Sequence, residues 1–478
     1  MRFFSYKTLL LMLPVVLSAC AMGPNYQRPV IDTPPDWRWK KAEPRDSAEK
    51  GPWWELFNDP ELNKLQVDAL QNNQSLKAAV ARVDQSRARA RISRADLLPT
   101  LDASPSWQRY RSSGNTATGG LPVPSVTANN FKAPLDLSYE IDLWGKVRRG
   151  FEASQNEFLA SASAYQNVLF TLQSDIAVNY YQLRAVDHEI SILEQAVTLR
   201  EEGMAIFQKR FETGTTSELD LSTSKVQLAG AKADLADASR RRAEFQNALA
   251  VLCGKPTSYF ELPQLLVNLA PPEIAPGLPS ELLERRPDVA EAERKLAARN
   301  AEIGVAYTAF FPSISLTAGG GFQSVALQDL FDWSSRLWSF GPTINIPIFA
   351  GGRNAAALKE ARAAYEEALA DYRQSVLVSF QDVDNALAGL RFLKEQSVFQ
   401  AEAVTASRKA ADISSSRYQN GVVDYLDVID AERTRLNSEL QEVRIKRQQM
   451  TTTVLLIKAI GGGWDVRPVS TEKQPQNK

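Results

Sequence analysis

Two periods of hydrophobic spacing divide this chain of 478 residues. From Trp144 to Thr213 no proline interrupts the sequence, and a stripe of mainly apolar positions steps by four and three: Leu172, Ile176, Asn179, Leu183, Val186, Ile190, Leu193, Val197, Arg200, Met204, Phe207, Phe211. A seven-residue repeat is the period of a supercoiled helix seam, not of a globular face. The run predicts one helix about 100 Å long at ~1.5 Å per residue. A second run from Gly352 to Asn420 carries Phe380, Val383, Leu387 and Leu390 at the same spacing. Shorter helices are predicted over 60–97, 217–252, 287–310 and 424–460. Asp59-Pro60-Glu61 supplies the first of these with an N-cap, a first-position proline and a first-turn acid.

Between the helices the period falls to two. Phe131, Ala133, Leu135, Leu137, Tyr139, Ile141 and Leu143 alternate with Lys132, Pro134, Asp136, Ser138, Glu140 and Asp142. Trp338, Phe340, Pro342, Ile344, Ile346 and Ile348 alternate with Ser339, Gly341, Thr343, Asn345 and Pro347. Weaker strands start at Pro99 and Pro312. Four strands are therefore expected, at about 99–112, 131–143, 312–322 and 337–349, paired within each half across the polar loops 112–130 and 323–335. Strands of about ten residues with one apolar face, and aromatic residues at their ends, fit an outer-membrane barrel. A soluble sheet with one wet face shows the same alternation. Four strands cannot close a barrel, since the smallest transmembrane barrels use about eight, and lipid tolerates no open edge. Two copies would give a filled barrel and three a barrel wide enough for a channel.

The long helices end on a repeated phrase. Arg210-Phe211-Glu212-Thr213-Gly214 returns 207 positions later as Arg417-Tyr418-Gln419-Asn420-Gly421. Leu98-Pro99 matches Phe311-Pro312, Trp144-Gly145-Lys146-Val147-Arg148 matches Phe349-Ala350-Gly351-Gly352-Arg353, and Leu252-Cys253-Gly254 matches Ala459-Ile460-Gly461. A period this long exceeds any solenoid unit and marks a duplicated domain-sized architecture. Glycine just past a helix end accepts the left-handed conformation, and arginine in the last turn suits the helix dipole. Capping thus accounts for Arg210, Gly214, Arg417 and Gly421 on its own. Phe211 and Tyr418 are not needed for a cap, which makes them candidates for partner or inter-helix contacts.

Composition narrows the chemistry. Residues 1–19 read as a secretory signal, with Arg2 and Lys7 ahead of an apolar stretch too short to span a bilayer. Leu17-Ser18-Ala19-Cys20 resembles a bacterial lipobox whose cysteine is acylated; an ordinary cleavage near Ala19 or Ala21 is the alternative. Ala21, in place of an aspartate, points to outer-membrane rather than inner-membrane sorting. The net charge of −1 argues against nucleic acid as a partner. The other cysteine, Cys253, is expected as a small buried apolar residue. The lone His188 cannot build a zinc site, no phosphate-binding loop is present, and no cofactor or enzymatic activity is expected.

The chain is similar to the outer-membrane factor family, the TolC/OprM-type channels of tripartite efflux pumps. The resemblance spans about Pro24 to Trp464. It rests on the lipobox with Gly23-Pro24-Asn25-Tyr26-Gln27-Arg28-Pro29, on Trp53-Trp54-Glu55-Leu56-Phe57-Asn58-Asp59-Pro60 and on Tyr139-Glu140-Ile141-Asp142-Leu143-Trp144-Gly145-Lys146. Arg285-Arg286-Pro287-Asp288, Ala309-Phe310-Phe311-Pro312, Pro347-Ile348-Phe349-Ala350-Gly351-Gly352-Arg353 and Gly461-Gly462-Gly463-Trp464 complete it. It implies an α+β membrane protein, internally duplicated: a homotrimeric twelve-stranded β-barrel, four strands per chain, continuous with a twelve-helix periplasmic α-barrel. Implied segments are a lipid-anchored belt region at 20–59, a first repeat at 60–255, a belt linker at 256–279, a second repeat at 280–464 and a polar tail at 465–478. Implied partners are a periplasmic membrane-fusion adaptor, which would meet the repeated turns, an inner-membrane RND-type transporter, and outer-membrane lipid around Cys20.

The gate would lie beyond the second turn. Asp424 suits an N-cap and Asp427 a first-turn acid, whereas Asp430 has no capping role. Asp427 and Asp430 share a helix face, which is a solvated face on spacing alone. The resemblance places them on the family's two tip rings, Leu426 on an apolar constriction, and Asp220 and Tyr418 among the links that hold the tip closed. Val423 stands where TolC has a link arginine, so closure by Leu426 with residual polar links is expected rather than a salt-bridge lock. Two other functions remain open: a type I secretion duct, and a non-conducting coiled-coil lipoprotein, which should lack paired amphipathic strands.

Overall fold

A computed structural model describes residues 21–31, 37–38, 52–115, 117–118, 121–122, 124–274 and 285–462. Cys20, residues 275–279 of the belt linker, Gly463 and Trp464 lie outside the described residues. In chain order the elements are α1 (Pro60–Asn72), α2 (Gln74–Ala95), β1 (Thr100–Ala103), β2 (Ser106–Arg111), β3 (Ala117–Thr118), β4 (Leu121–Pro122), β5 (Thr127–Ile141), α3 (Lys146–Glu212), α4 (Glu218–Leu252), α5 (Pro287–Thr308), β6 (Ser313–Ser324), β7 (Arg336–Asn345), α6 (Arg353–Gln419) and α7 (Tyr425–Ala459). The duplicated helices match in length: α3 and α6 have 67 residues each, α4 and α7 have 35 each, and every boundary is offset by 207. Among the described residues no helix is long and apolar enough to cross a membrane.

The chain forms two compact units. The first contains the sheet, an antiparallel array with β5 and β6 at its centre, β1 and β2 along one edge and β7 along the other. The expected single strand over 99–112 is broken into β1 and β2, which pair in series with β5. Pro105 and Pro134 cause the break: neither has an N–H to give to the ladder, and the Ser104 N–H reaches the Pro134 carbonyl at only 3.4 Å.

Directly opposed residues of antiparallel strands share a face, so the register sorts the sheet into two surfaces. One carries the rows Ile141–Ile314–Ile344, Tyr139–Leu316–Pro342, Leu101–Leu137–Ala318–Phe340 and Ala103–Leu135–Gly320–Trp338. The other carries Thr100–Ser138–Thr317–Gly341, Asp102–Asp136–Gly319–Ser339 and Glu140–Ser315–Thr343. In the single chain the apolar surface is uncovered: Leu101, Leu135, Trp338, Phe340 and Ile344 are all exposed. At the junction with α3, Trp144 packs against Phe311 with ring centres 4.9 Å apart, and its indole N–H donates to the Pro312 carbonyl at 2.7 Å.

The second unit holds the apolar core. The heptad stripe of α3 is its spine: Leu172, Ile176, Leu183, Val186, Ile190 and Leu193 are buried. Trp53, Trp54, Leu62 and Leu65 pack on it together with Leu249, Phe260, Val454 and Ile457. The helix expected over 60–97 divides at Asn73, whose side chain donates to the Leu252 carbonyl and accepts from the Leu76 N–H, both at 2.8 Å. Asp59 caps α1 through the N–H groups of Glu61 and Leu62, and accepts from the Tyr180 hydroxyl at 2.8 Å. Burial pushes that hydroxyl's pKa well up, so it donates as a neutral phenol. Cys253 is wholly buried, and burial raises its thiol to about 11, far from reactive range.

A buried polar cluster ties the segment after α4 to the spine. Arg184 and Asp187, both fully buried, pair at 2.8 Å. Arg184 also donates to the Pro263 carbonyl, Arg242 donates to Asp187 at 2.7 Å and to the Leu262 carbonyl, and the Leu265 N–H closes on Asp187 at 3.1 Å. Asp187→Leu removes the acceptor that these donors share and leaves Arg184 charged in the core. The expected loss is about 3–5 kcal/mol, read as a lowered denaturation midpoint of the detergent-solubilised protein; a change under about 0.5 kcal/mol would contradict this role.

Candidate functional site

The two helix-hairpin turns, α3 to α4 and α6 to α7, are built alike. Gly214 and Gly421 have φ of +68° and +72°. The Thr215 N–H donates to the Arg210 carbonyl at 2.8 Å, and the Val422 N–H to the Arg417 carbonyl at 2.9 Å. These six-to-one bonds, with the Gly214 N–H on Phe211 and the Gly421 N–H on Tyr418, complete Schellman caps. Both arginines thus serve the cap through their carbonyls, which leaves the side chains free for other work.

The next helices start differently. Ser217 accepts from the Asp220 N–H at 3.2 Å while Asp220 accepts from the Ser217 N–H and hydroxyl, a reciprocal capping box. Thr216 adds a hydroxyl at 2.9 Å, and these hydrogen bonds, led by the Ser217 side chain, hold the Asp220 carboxyl below its ordinary pKa. Asp424 sits at the corresponding N-cap of α7 but makes no side-chain cap bond, unlike the expectation; the Asp427 N–H is met instead by the Asp424 carbonyl at 3.1 Å. The first hairpin therefore starts on a side-chain lock that the second lacks.

Aromatic and charged side chains join the two turns. The Arg210 guanidinium donates to the Tyr418 hydroxyl and lies 5.5 Å from the ring centre. Tyr418 packs against Tyr425 at 5.3 Å, and Tyr425 against buried Phe207 at 4.3 Å. A Cβ at Gly203 would come within 2.5 Å of the Tyr425 hydroxyl, so any larger residue there would have to displace the end of this ring. Burial raises the Tyr425 pKa, with Tyr418 adding to it. Within the chain Asp220 is occupied by Thr216 and Ser217, and the hydroxyl of Tyr418 is held by Arg210. Phe211, Leu426, Asp427 and Asp430 are exposed. Asp430 is ion-paired with Arg433 one turn on.

Beside this contact, α3, α4, α6 and α7 line a partly open cavity of about 320 Å³. Ile192, Leu199, Val428 and Leu436 line it, with Arg200 and Glu432 among its polar residues. Burial lowers the Arg200 pKa and raises that of Glu432. Sequence reasoning missed Gly203, Phe207 as a cross-hairpin residue, Tyr425, Arg433 and Glu432. The readable signal was the four-residue spacing of Gly203 and Phe207 opposite a tyrosine directly after the N-cap.

Long heptad hairpins with Schellman turns, joined to a sheet whose apolar face is bare, define an envelope channel subunit. The chain belongs to the outer membrane efflux protein family, whose model matches it twice, over residues 65–255 and 278–462. It is 34% identical over 464 residues to outer membrane protein OprJ of Pseudomonas aeruginosa, covering 95% of each chain. Identity to the cation efflux system protein CusC of Escherichia coli is 32%, covering 94% of this chain and 97% of the relative. The fold matches the outer-membrane channel OprN with a TM-score of 0.85 at 28% identity, covering 93% of this chain and all of that one. The protein is an outer-membrane channel of the efflux type, with no enzymatic role.

Glu432 gives the tip a pH dependence with a definite sign. Its folded pKa lies above the unfolded value of about 4.3, so its contribution is most favourable below that value and is lost as pH rises through the folded pKa. Amide exchange in α7 around Glu432 should quicken with rising pH across that window, beyond the intrinsic rate. Glu432→Gln should flatten the trend, and a variant profile identical to the parent's would refute it.

Proposed function

We propose that this chain is the exit duct of a tripartite multidrug pump, a homotrimer anchored by an acylated Cys20 and gated at its helix-hairpin turns. The observation that carries the reading is the sheet: four strand positions, two unpaired edges and a bare apolar face. Lipid accepts that face, but it does not accept the edges. Pairing β1 and β2 of one copy with β7 of the next removes every edge, and three copies supply a twelve-stranded barrel with a water-accessible interior. The surface bearing Asp102, Asp136, Ser138, Thr317 and Thr343 then faces the lumen.

Conduction is passive in this reading, with a periplasmic adaptor and an RND-type inner-membrane transporter supplying recognition and energy. The exposed Arg417, Phe211 and the paired turns Gly214 and Gly421 suit contact with an adaptor hairpin. In the resting state Leu426 narrows the axis, and Asp427 and Asp430 set a negative potential beside it. Arg433 offsets part of that potential. The Arg210–Tyr418 bond links the hairpins of one chain, and Asp220, which fixes the start of α4, stands with Tyr418 among the links that hold the tip. Opening requires the α6–α7 hairpin to move away from Arg210, and the missing side-chain cap at Asp424 leaves that hairpin the easier one to displace.

Single-channel recording in planar bilayers tests the gate. Asp427→Asn with Asp430→Asn should lower the preference for cations over anions, while Arg433→Gln should raise it. Unchanged selectivity in both would remove these residues from the ring. Native mass spectrometry in detergent should give three chains; a monomer or dimer as the conducting species would reject the duct.

A further inference from the structure

The apolar face of the sheet ends differently on its edges than at its centre. On β2, Trp107, Arg109 and Arg111 lie on that face, in register with Phe131, Asn129 and Thr127. On β7, Arg336, Trp338 and Phe340 lie on it, in register with Phe322, Gly320 and Ala318. Each edge strand therefore passes from aromatic to arginine as it leaves the apolar band, at the end of the sheet remote from α3. At the levels of Arg109 and Arg111 the central strand β5 presents Asn129 and Thr127, and at the level of Arg336 the central strands present Phe322 and Ala133, all without charge.

Among the described residues these three arginines have no carboxylate partner. Arg111 donates to the Ser125 hydroxyl at 3.3 Å, and Arg336 lies over Trp333 with its guanidinium 3.9 Å from the ring centre. Asp329 and Asp332 in the same hairpin turn make no ion pair with Arg336; their carbonyls take part in the turn's own hydrogen bonds. Trp107, Trp333 and Trp338 are all exposed. Tryptophan settles at the headgroup level of a bilayer, and arginine there presents a planar fork suited to phosphate oxygens.

We infer that Arg109, Arg111 and Arg336 form a binding site for a phosphate-bearing lipid of the outer leaflet, placed at the seams between copies. The inference rests on the duct reading, since closure of the ring sets β7 of one copy beside β2 of the next. The arginines sit only on the strands that meet there. The three guanidinium groups of each seam come from two chains, so a phosphorylated headgroup bridging them joins the copies on the side where the strand edges pair. Trp333 holds Arg336 in place before the lipid arrives.

The test uses the full-length protein in neutral detergent, with bis-phosphorylated lipid A as probe and its dephosphorylated form as control, read by native mass spectrometry. The parent protein should retain the phosphorylated lipid and largely lose the control. Replacing all three arginines with glutamine should cut lipid A occupancy by about tenfold or more, and replacement with lysine should restore most of it. Equal occupancy by both lipids, or an unaltered triple-glutamine variant, would overturn the site. Conductance of the same preparations is recorded in parallel. Conducting parent protein with no phosphate preference defeats the lipid site alone, whereas a non-conducting parent defeats the duct reading.

Discussion

The unsatisfied hydrogen-bonding groups along two sheet edges govern everything else in this molecule. A β-strand in hydrocarbon must give each N–H a partner, and β1, β2 and β7 have one free side apiece within the chain. The apolar rows from Ile141 to Trp338 push the sheet into lipid, and the edges forbid it from entering alone. In the proposed duct, assembly is thus a precondition for insertion. Equal helix lengths in the two repeats suit the proposed ring, in which alternating hairpins end at one level.

Against that rigid requirement, the turns carry graded strength. Schellman geometry is shared by both, so neither turn is weaker as a turn. The difference lies in how the next helix begins: with a reciprocal Ser217–Asp220 box in α4, and with an idle Asp424 side chain in α7. Across the gap the hairpins touch through Arg210, Tyr418, Tyr425 and Phe207, a contact of rings and one charge-assisted hydrogen bond, with an incompletely filled space beside it. Such a contact is weaker per unit length than the packed seam around Ile176 and Leu183, and separates first when the bundle is pulled apart.

Much of this was legible from spacing. Periods of seven and two placed every long helix and the strands β5 and β7, because each is set by residues that repeat within the element itself. What escaped was set from outside. The division at Asn73 depends on the Leu252 carbonyl, and the break between β1 and β2 depends on Pro134 in the neighbouring strand. At the turns, Arg210 was readable as a cap but not as the partner of Tyr418, since a guanidinium that reaches across to another helix leaves no periodic trace. Asp430 was readable as an inward-compatible acid; Arg433, three positions later, changes its electrostatics. The family relationship was carried by ordered short motifs, which single positions could not supply.

The longest pairing in the sheet joins β5 to β6, and residues 142–312 lie between them in the chain. Each repeat can form its own strand pair early, but the two can meet only after the long hairpin of the first repeat and the strands of the second have been made. Closing so large a loop is slow. For that interval both half-sheets carry bare apolar faces. The fold therefore leaves the nascent chain exposed to edge pairing with other chains until β5 meets β6, and the polar residues that alternate with its apolar ones, Asp136, Ser138 and Thr317 among them, break up the segments that would aggregate.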